Sequence, residues 1–224
     1  MQHSSLLVIL FAAACLGFKC IDVLPLQIYR TYPNYFTKHQ TKLSKLWLSN
    51  KSILIQVFVF LSLMFVPWIL FKTNLQFETN YFLLFFAWVL IVLFFIDLLT
   101  GLLPDLLTLP TLLLGFFLQL HPSYGTIGIE ASLTGIFLGG GILYLSHLLF
   151  FLIKKKEGIG FGDIKLFAMV GACVGYQPLP LITMIASLLF ILFILLRQIR
   201  SKKITSSFPF GPFIALSTLV VFYL

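Results

Sequence analysis

Long apolar runs fill most of this chain, and short polar or glycine- and proline-bearing breaks divide them. Eight apolar segments can be marked, at residues 5–26, 52–71, 81–100, 106–120, 126–153, 164–177, 179–199 and 208–224. The breaks carry Asn74, Gly101 with Pro104, His121 and Pro122 with Gly125, Gln177 and Pro178 with Pro180, and Pro209, all residues that punctuate regular structure. Apolar runs this long, without a period-two alternation, predict helices rather than strands. A helix needs about 20 apolar residues to cross a bilayer, so the fourth and sixth segments are short for a full span. The expected fold is all-α: an integral membrane protein with a polytopic bundle of about eight transmembrane helices, forming a single domain over residues 1–224.

Composition agrees. The 224 residues are 60% hydrophobic and 10% charged, where a soluble domain carries about 25% charged residues. The net charge of +8 raises the question of nucleic acid, but the basic residues form no continuous face. Arg30, Lys38, Lys42, Lys45 and Lys51 share one loop. Lys154, Lys155, Lys156 and Lys165 share a second, and Arg197, Arg200, Lys202 and Lys203 a third. Together these hold 13 of the 15 basic residues. With eight spans all three loops fall on one side, with the 101–105 turn, while the opposite loops hold only Lys72. The positive-inside rule makes that side cytoplasmic and sends both termini outward. The stretch MQHSSLLVILFAAACLG lacks a basic leader region and a good lipoprotein cleavage site, so it reads as a first span that stays. Cys15, Cys20 and Cys173 form no C-x-x-C pair and no zinc spacing; no metal and no cofactor are expected.

The acids are few: Asp22, Glu78, Asp97, Asp105, Glu130, Glu157 and Asp163. A carboxylate inside lipid costs roughly 2.5–3.5 kcal/mol on insertion scales, so those beside spans need a reason. Asp97 ends the third span and Asp163 begins the sixth, at one depth on the cytoplasmic side, 66 residues apart in sequence. Two convergent carboxylates split their pKa values, one staying protonated while the other acts as a base, the arrangement of an aspartyl hydrolase. Asp163 is preceded by Gly158, Gly160 and Gly162 in EGIGFGDIKL. Glycine admits close approach and unusual dihedrals, so this loop could bring backbone or substrate near the acid. Other readings stand beside this one. Asp163 could be a helix N-cap, and Asp105, after Pro104, is a better N-cap than catalyst. Lys165 could snorkel to lipid headgroups or tune the site. Lys19 and Asp22 could pair within the first span. FPFGPFIA, residues 208–215, could be a mere helix start. A proton-coupled small transporter would also use intramembrane acids, but these cluster at one face rather than the midplane.

FIDLLTGLLPDLLTLP (95–110), EGIGFGDIKLFAMVGACVGY (157–176) and PFGPFIA (209–215) together resemble the bacterial type IV prepilin peptidases, membrane aspartyl proteases of the GxGD kind. The resemblance covers residues 80–224, the expected catalytic core. It implies Asp97 and Asp163 as the catalytic pair, with Gly158, Gly160, Gly162, Lys165 and Asp105 as support. It implies an aspartic endopeptidase of the bacterial inner membrane, active at the cytoplasmic face on prepilins or type II secretion pseudopilins, beside pilus or secretion machinery. Residues 1–51 diverge from the family. About twenty residues (31–51) stand where members commonly carry a cytoplasmic domain with two zinc-binding C-x-x-C pairs and a linked N-methyltransferase activity. A peptidase without methylation is the expectation, unless the bundle itself carries that chemistry.

Overall fold

The computed structural model describes residues 81–121, 125–155, 160–200 and 208–223. Among these it holds six helices and no strand: α1 Tyr81–Thr100, α2 Asp105–Leu118, α3 Ile129–Lys154, α4 Phe161–Val174, α5 Leu179–Arg200 and α6 Gly211–Tyr223. They fall on the last six apolar segments of the sequence. The first two segments, and the Lys19–Asp22 pair, lie outside the described residues. Two helices, Ile129–Lys154 and Leu179–Ile199, are long and apolar enough to cross a membrane. The expected eight spans are therefore matched only in part, as an all-helical fold with two apolar candidate spans. The α2 and α4 helices have 14 residues each, about 21 Å at 1.5 Å per residue. Breakers set those lengths. Pro104 precedes α2; Gly160 caps α4, and Gly175, at φ 79°, ends it.

The chain divides into two compact units, Met1–Leu102 and Leu103–Leu224. In the first, α1 buries Phe86, Val89, Leu90, Leu93 and Ile96 completely. Its last turn closes on Gly101, whose N–H donates to the Asp97 carbonyl at 2.8 Å from a left-handed φ of 68°, a glycine cap. The Thr100 hydroxyl donates to the Ile96 carbonyl at 2.8 Å and accepts from the Leu102 N–H at 3.2 Å. The chain thus leaves α1 at a fixed angle, three residues beyond Asp97.

In the second unit α4 is central, with α2, α3 and α6 packed on it and α5 packed on α6. From Leu166 to Val174 only Ala168 escapes full burial. The α3 face against it is made of small residues: Ser132, Gly135, Gly139 and Gly140 are buried. Gly135 and Gly171 meet backbone to backbone, and a Cβ on either would overlap the other's carbonyl oxygen. A Cβ on Gly139 would lie 2.6 Å from the Phe167 carbonyl oxygen, and one on Gly140 would lie 2.9 Å from the Ala168 Cβ. The Ser132 hydroxyl donates to the Ala172 carbonyl at 2.8 Å. These contacts run antiparallel along both helices. The large residues of α3, among them Phe137, Ile142, Leu145 and Ile153, point outward and are exposed. Small side chains inward and large ones outward is the packing of helices in lipid, where burying Leu gains nothing over leaving it among acyl chains.

A leucine at Gly135 or Gly171 should therefore force the helices apart, lowering stability by about 1–3 kcal/mol or more. Gly141, which has nothing within 4 Å of an added Cβ, should accept leucine with little change. Thermal denaturation of the three variants in detergent checks this.

Candidate active site

The N-terminal end of α4 gathers most of the polar residues singled out in the sequence. Gly160 occupies the cap position at φ −67° and ψ 137°. Asp163 is the third helical residue, and its N–H donates to the Gly160 carbonyl at 3.1 Å. Asp163 is therefore not the N-cap of its helix, because a residue without a side chain holds that place. Its carboxylate is half-buried and sits in the first turn, where the helix dipole favours negative charge. A second helix start faces it. The backbone N–H of Gly211, the first residue of α6, is in hydrogen-bonding reach of the Asp163 carboxyl. The first N–H groups of a helix have no partner within it, so this contact satisfies one of them.

The segment before α6 is held in place by rings. Phe190 and Phe193 of α5 meet Phe210, Phe213 and Phe208 at centroid distances of 5.3–5.7 Å, largely edge to face. The Arg197 guanidinium stands 4.0 Å over the Phe208 ring, a favourable cation–π distance. FPFGPF is thus more than the start of a helix, since it delivers the Gly211 N–H to Asp163.

Of the loop glycines, Gly162 acts by closeness and not by backbone freedom. Among the described residues the glycines with positive φ are Gly101, Gly128 and Gly175; Gly160 and Gly162 have ordinary dihedrals. A Cβ on Gly160 would lie 3.5 Å from the Asp163 Oδ2, an ordinary contact. A Cβ on Gly162 would lie 3.1 Å from the Leu103 Cβ and 3.3 Å from its Cδ1, so Gly162 lets Leu103 close against the start of α4. Gly158 lies outside the described residues.

Asp105 and Lys165 also differ from their expected readings. The cap of α2 is Pro104, which makes no side-chain capping bond, and Asp105 is the first helical residue. Its two carboxylate oxygens each accept from the Lys165 ammonium at 2.7 Å. Lys165 is thus engaged with a neighbouring helix. Asp97 is 2% exposed and belongs to the other unit, in the last turn of α1. Glu130 is exposed in the first turn of α3, at the opposite end of α4 from Asp163.

A histidine that belongs to no spaced cluster in the sequence also lies near the site. His147 is buried on α3, and its ring lies 4.8 Å from that of Phe161, two residues before Asp163. It continues the small-residue face of α3 at helical spacing from Gly140, a signal present in the sequence.

Comparison with known proteins gives this arrangement its family. The profile of the type IV leader peptidase family matches residues 84–195, which include Asp97, Asp105, Asp163 and Lys165. That is half of the chain, and the chain belongs to this family. It is similar to the prepilin leader peptidase/N-methyltransferase of Escherichia coli K12, 40% identical over 137 residues, 61% of this chain and 60% of the relative. The proteins of the same name from Aeromonas salmonicida and Pseudomonas aeruginosa are 40% and 39% identical, over 60% of this chain and 46% of each relative. The chain thus spans about half to three-fifths of the length of these curated relatives. No solved structure matches it.

A valine at Gly162 should push Leu103 from the start of α4, lowering stability by about 1–3 kcal/mol. Adding Leu103→Ala, which removes the Cγ and Cδ1 contacts but keeps the Cβ at 3.1 Å, should return part of that loss. Thermal denaturation of the single and double variants reads the coupling.

Proposed function

We propose that this protein is a membrane-embedded aspartic endopeptidase that cleaves the leader peptides of type IV prepilins or type II secretion pseudopilins at the cytoplasmic face of the inner membrane. The observation that carries this reading is the family match over residues 84–195, since that stretch holds both Asp97 and Asp163 in the motifs that resemble the catalytic pair. Membrane lipid is the surrounding medium, and pilus or secretion machinery the setting.

The chemistry follows from two carboxyls around one bond. The ionised member removes a proton from water, and the resulting hydroxide adds to the carbonyl carbon of the scissile peptide. The protonated member donates to the carbonyl oxygen as negative charge builds there. Collapse of the tetrahedral intermediate breaks the C–N bond, the amine leaves with a proton, and the carboxyls exchange roles. The contacts around Asp163 suit this work. Its carboxylate is not consumed in capping its own helix, and the Gly211 N–H holds it in one orientation without adding a charge. The transporter reading has no comparable support.

The relative from Escherichia coli, which the same 137 residues cover as fully as they cover this chain, is named for both peptidase and methyltransferase. Chain length therefore does not separate the two activities. Cleavage is the activity proposed for this protein.

Asp97→Asn and Asp163→Asn should each lower cleavage by about 10²–10⁴-fold while the protein still inserts. Mass spectrometry of the N-terminus of a co-expressed prepilin reads the result, and methylation with it. Full processing by either variant would rule out the pair.

A further inference from the structure

We propose that Asp105 and Lys165 form an ionic latch that holds the Asp163-bearing end of α4 in position for cleavage. This rests on the peptidase reading and makes both of them positioning residues, neither touching the scissile bond. The geometry is specific. One ammonium lies 2.7 Å from both oxygens of one carboxylate, across 60 residues of sequence. Asp105 opens α2 directly after Pro104, whose ring fixes the backbone there, and Lys165 lies two residues past Asp163.

The latch is needed because the tight helix contact does not reach this end. Ser132, Gly135 and Gly139 bring the backbone of α3 against α4 at Ala172, Gly171 and Phe167. Nearer the N-terminus the close approach fades: a Cβ on Gly140 would still be 3.7 Å from the Ile164 carbonyl oxygen. Beyond that, α3 offers the His147–Phe161 ring contact. From the Leu103–Asp105 segment at the start of α2 come two contacts, Leu103 against Gly162 and Asp105 on Lys165. These lie on either side of Asp163 in sequence. A rigid apolar contact and a directional ionic one together fix both the separation of the helix starts and the rotation of α4.

Energetics separate this role from a structural one. The side chains are 39% and 54% exposed, and ion pairs that open to solvent add little to stability. Loss of the pair should therefore be felt in turnover more than in folding. It should also be felt in kcat more than in KM, since the latch bears on the reacting group and not on the bound apolar helix of the substrate. A carboxylate with both oxygens on a lysine is also poorly placed to act as a base, which argues against Asp105 as a catalytic acid.

The test is a charge exchange. D105N and K165M should each lower kcat for prepilin cleavage between about tenfold and a hundredfold, the cost of misplacing a reacting group, with KM and detergent melting temperature little changed. D105K combined with K165D should recover most of the lost activity. A latch can be reversed, whereas a catalytic aspartate cannot be replaced by lysine. Recovery supports the latch; failure of the exchange with wild-type melting, or single variants with wild-type kcat, overturns it. A second readout does not depend on activity. Spin labels at Leu106 and Phe161, both exposed, in a background without cysteine, should give a narrow distance distribution in the wild type and the exchanged protein. The single variants should give a broad one, and narrow distributions there overturn the latch. A wild-type protein that cleaves no prepilin would refute the peptidase reading, while the spin-label distances would still decide the latch.

Discussion

The backbone contact between Gly135 and Gly171 is the constraint from which the rest of the second unit follows. In water, helices associate by burying large apolar side chains. In lipid that gain disappears, and association depends on how closely backbones approach and on the few polar bonds between them. The α3 helix meets this condition by turning its glycines and Ser132 toward α4 and its large residues outward. The cost of a Cβ at either glycine is steric and cannot be relieved by a change of rotamer, so the register between the two helices is fixed. With that register set, the N-terminal end of α4 lies where α2 and the start of α6 also reach it.

At that end, three parts of the chain meet around one acid. The Leu103–Asp105 segment closes on Gly162 and Lys165, α3 contributes the His147 ring, and the rings of α5 hold the FPFGPF segment so that the Gly211 N–H faces Asp163. Each contact uses a residue type suited to its place. Glycine stands where a neighbour must come close, proline where a helix must start, and aromatic rings where a loop must be held. Asp163 sits in the positive field of two helix starts, so a carboxylate beside an apolar core has compensating dipoles.

Much of this was legible in the sequence. The apolar runs located the six described helices to within a few residues, since length and breakers alone define such segments. The motifs around Asp97 and Asp163 pointed to the family that the profile match then gave. What the pattern could not supply was tertiary pairing. Nothing in a linear reading joins Asp105 to Lys165, because each taken alone has a common surface explanation, as a helix cap or as a snorkelling lysine. For Gly162 the sequence allowed close approach or unusual dihedrals without choosing, and the structure supplies the reason, Leu103 packed tightly against it. The Gly211 contact was hidden because a backbone N–H has no signature in sequence. Span number is matched only in part: among the described residues two helices are long and apolar enough to cross a membrane, while α2 and α4 are apolar and 14 residues long.

For Asp97 and Asp163 to act on a single peptide bond, the end of α1 and the start of α4 must come together in the membrane. Cysteines placed at positions 97 and 163, in a protein otherwise without cysteine, measure this directly. Oxidation in native membranes should join them within one chain, giving a species that reverts on reduction. If both thiols react with a small thiol reagent yet never join to each other, by oxidation or through short bifunctional linkers, the two acids do not share a site.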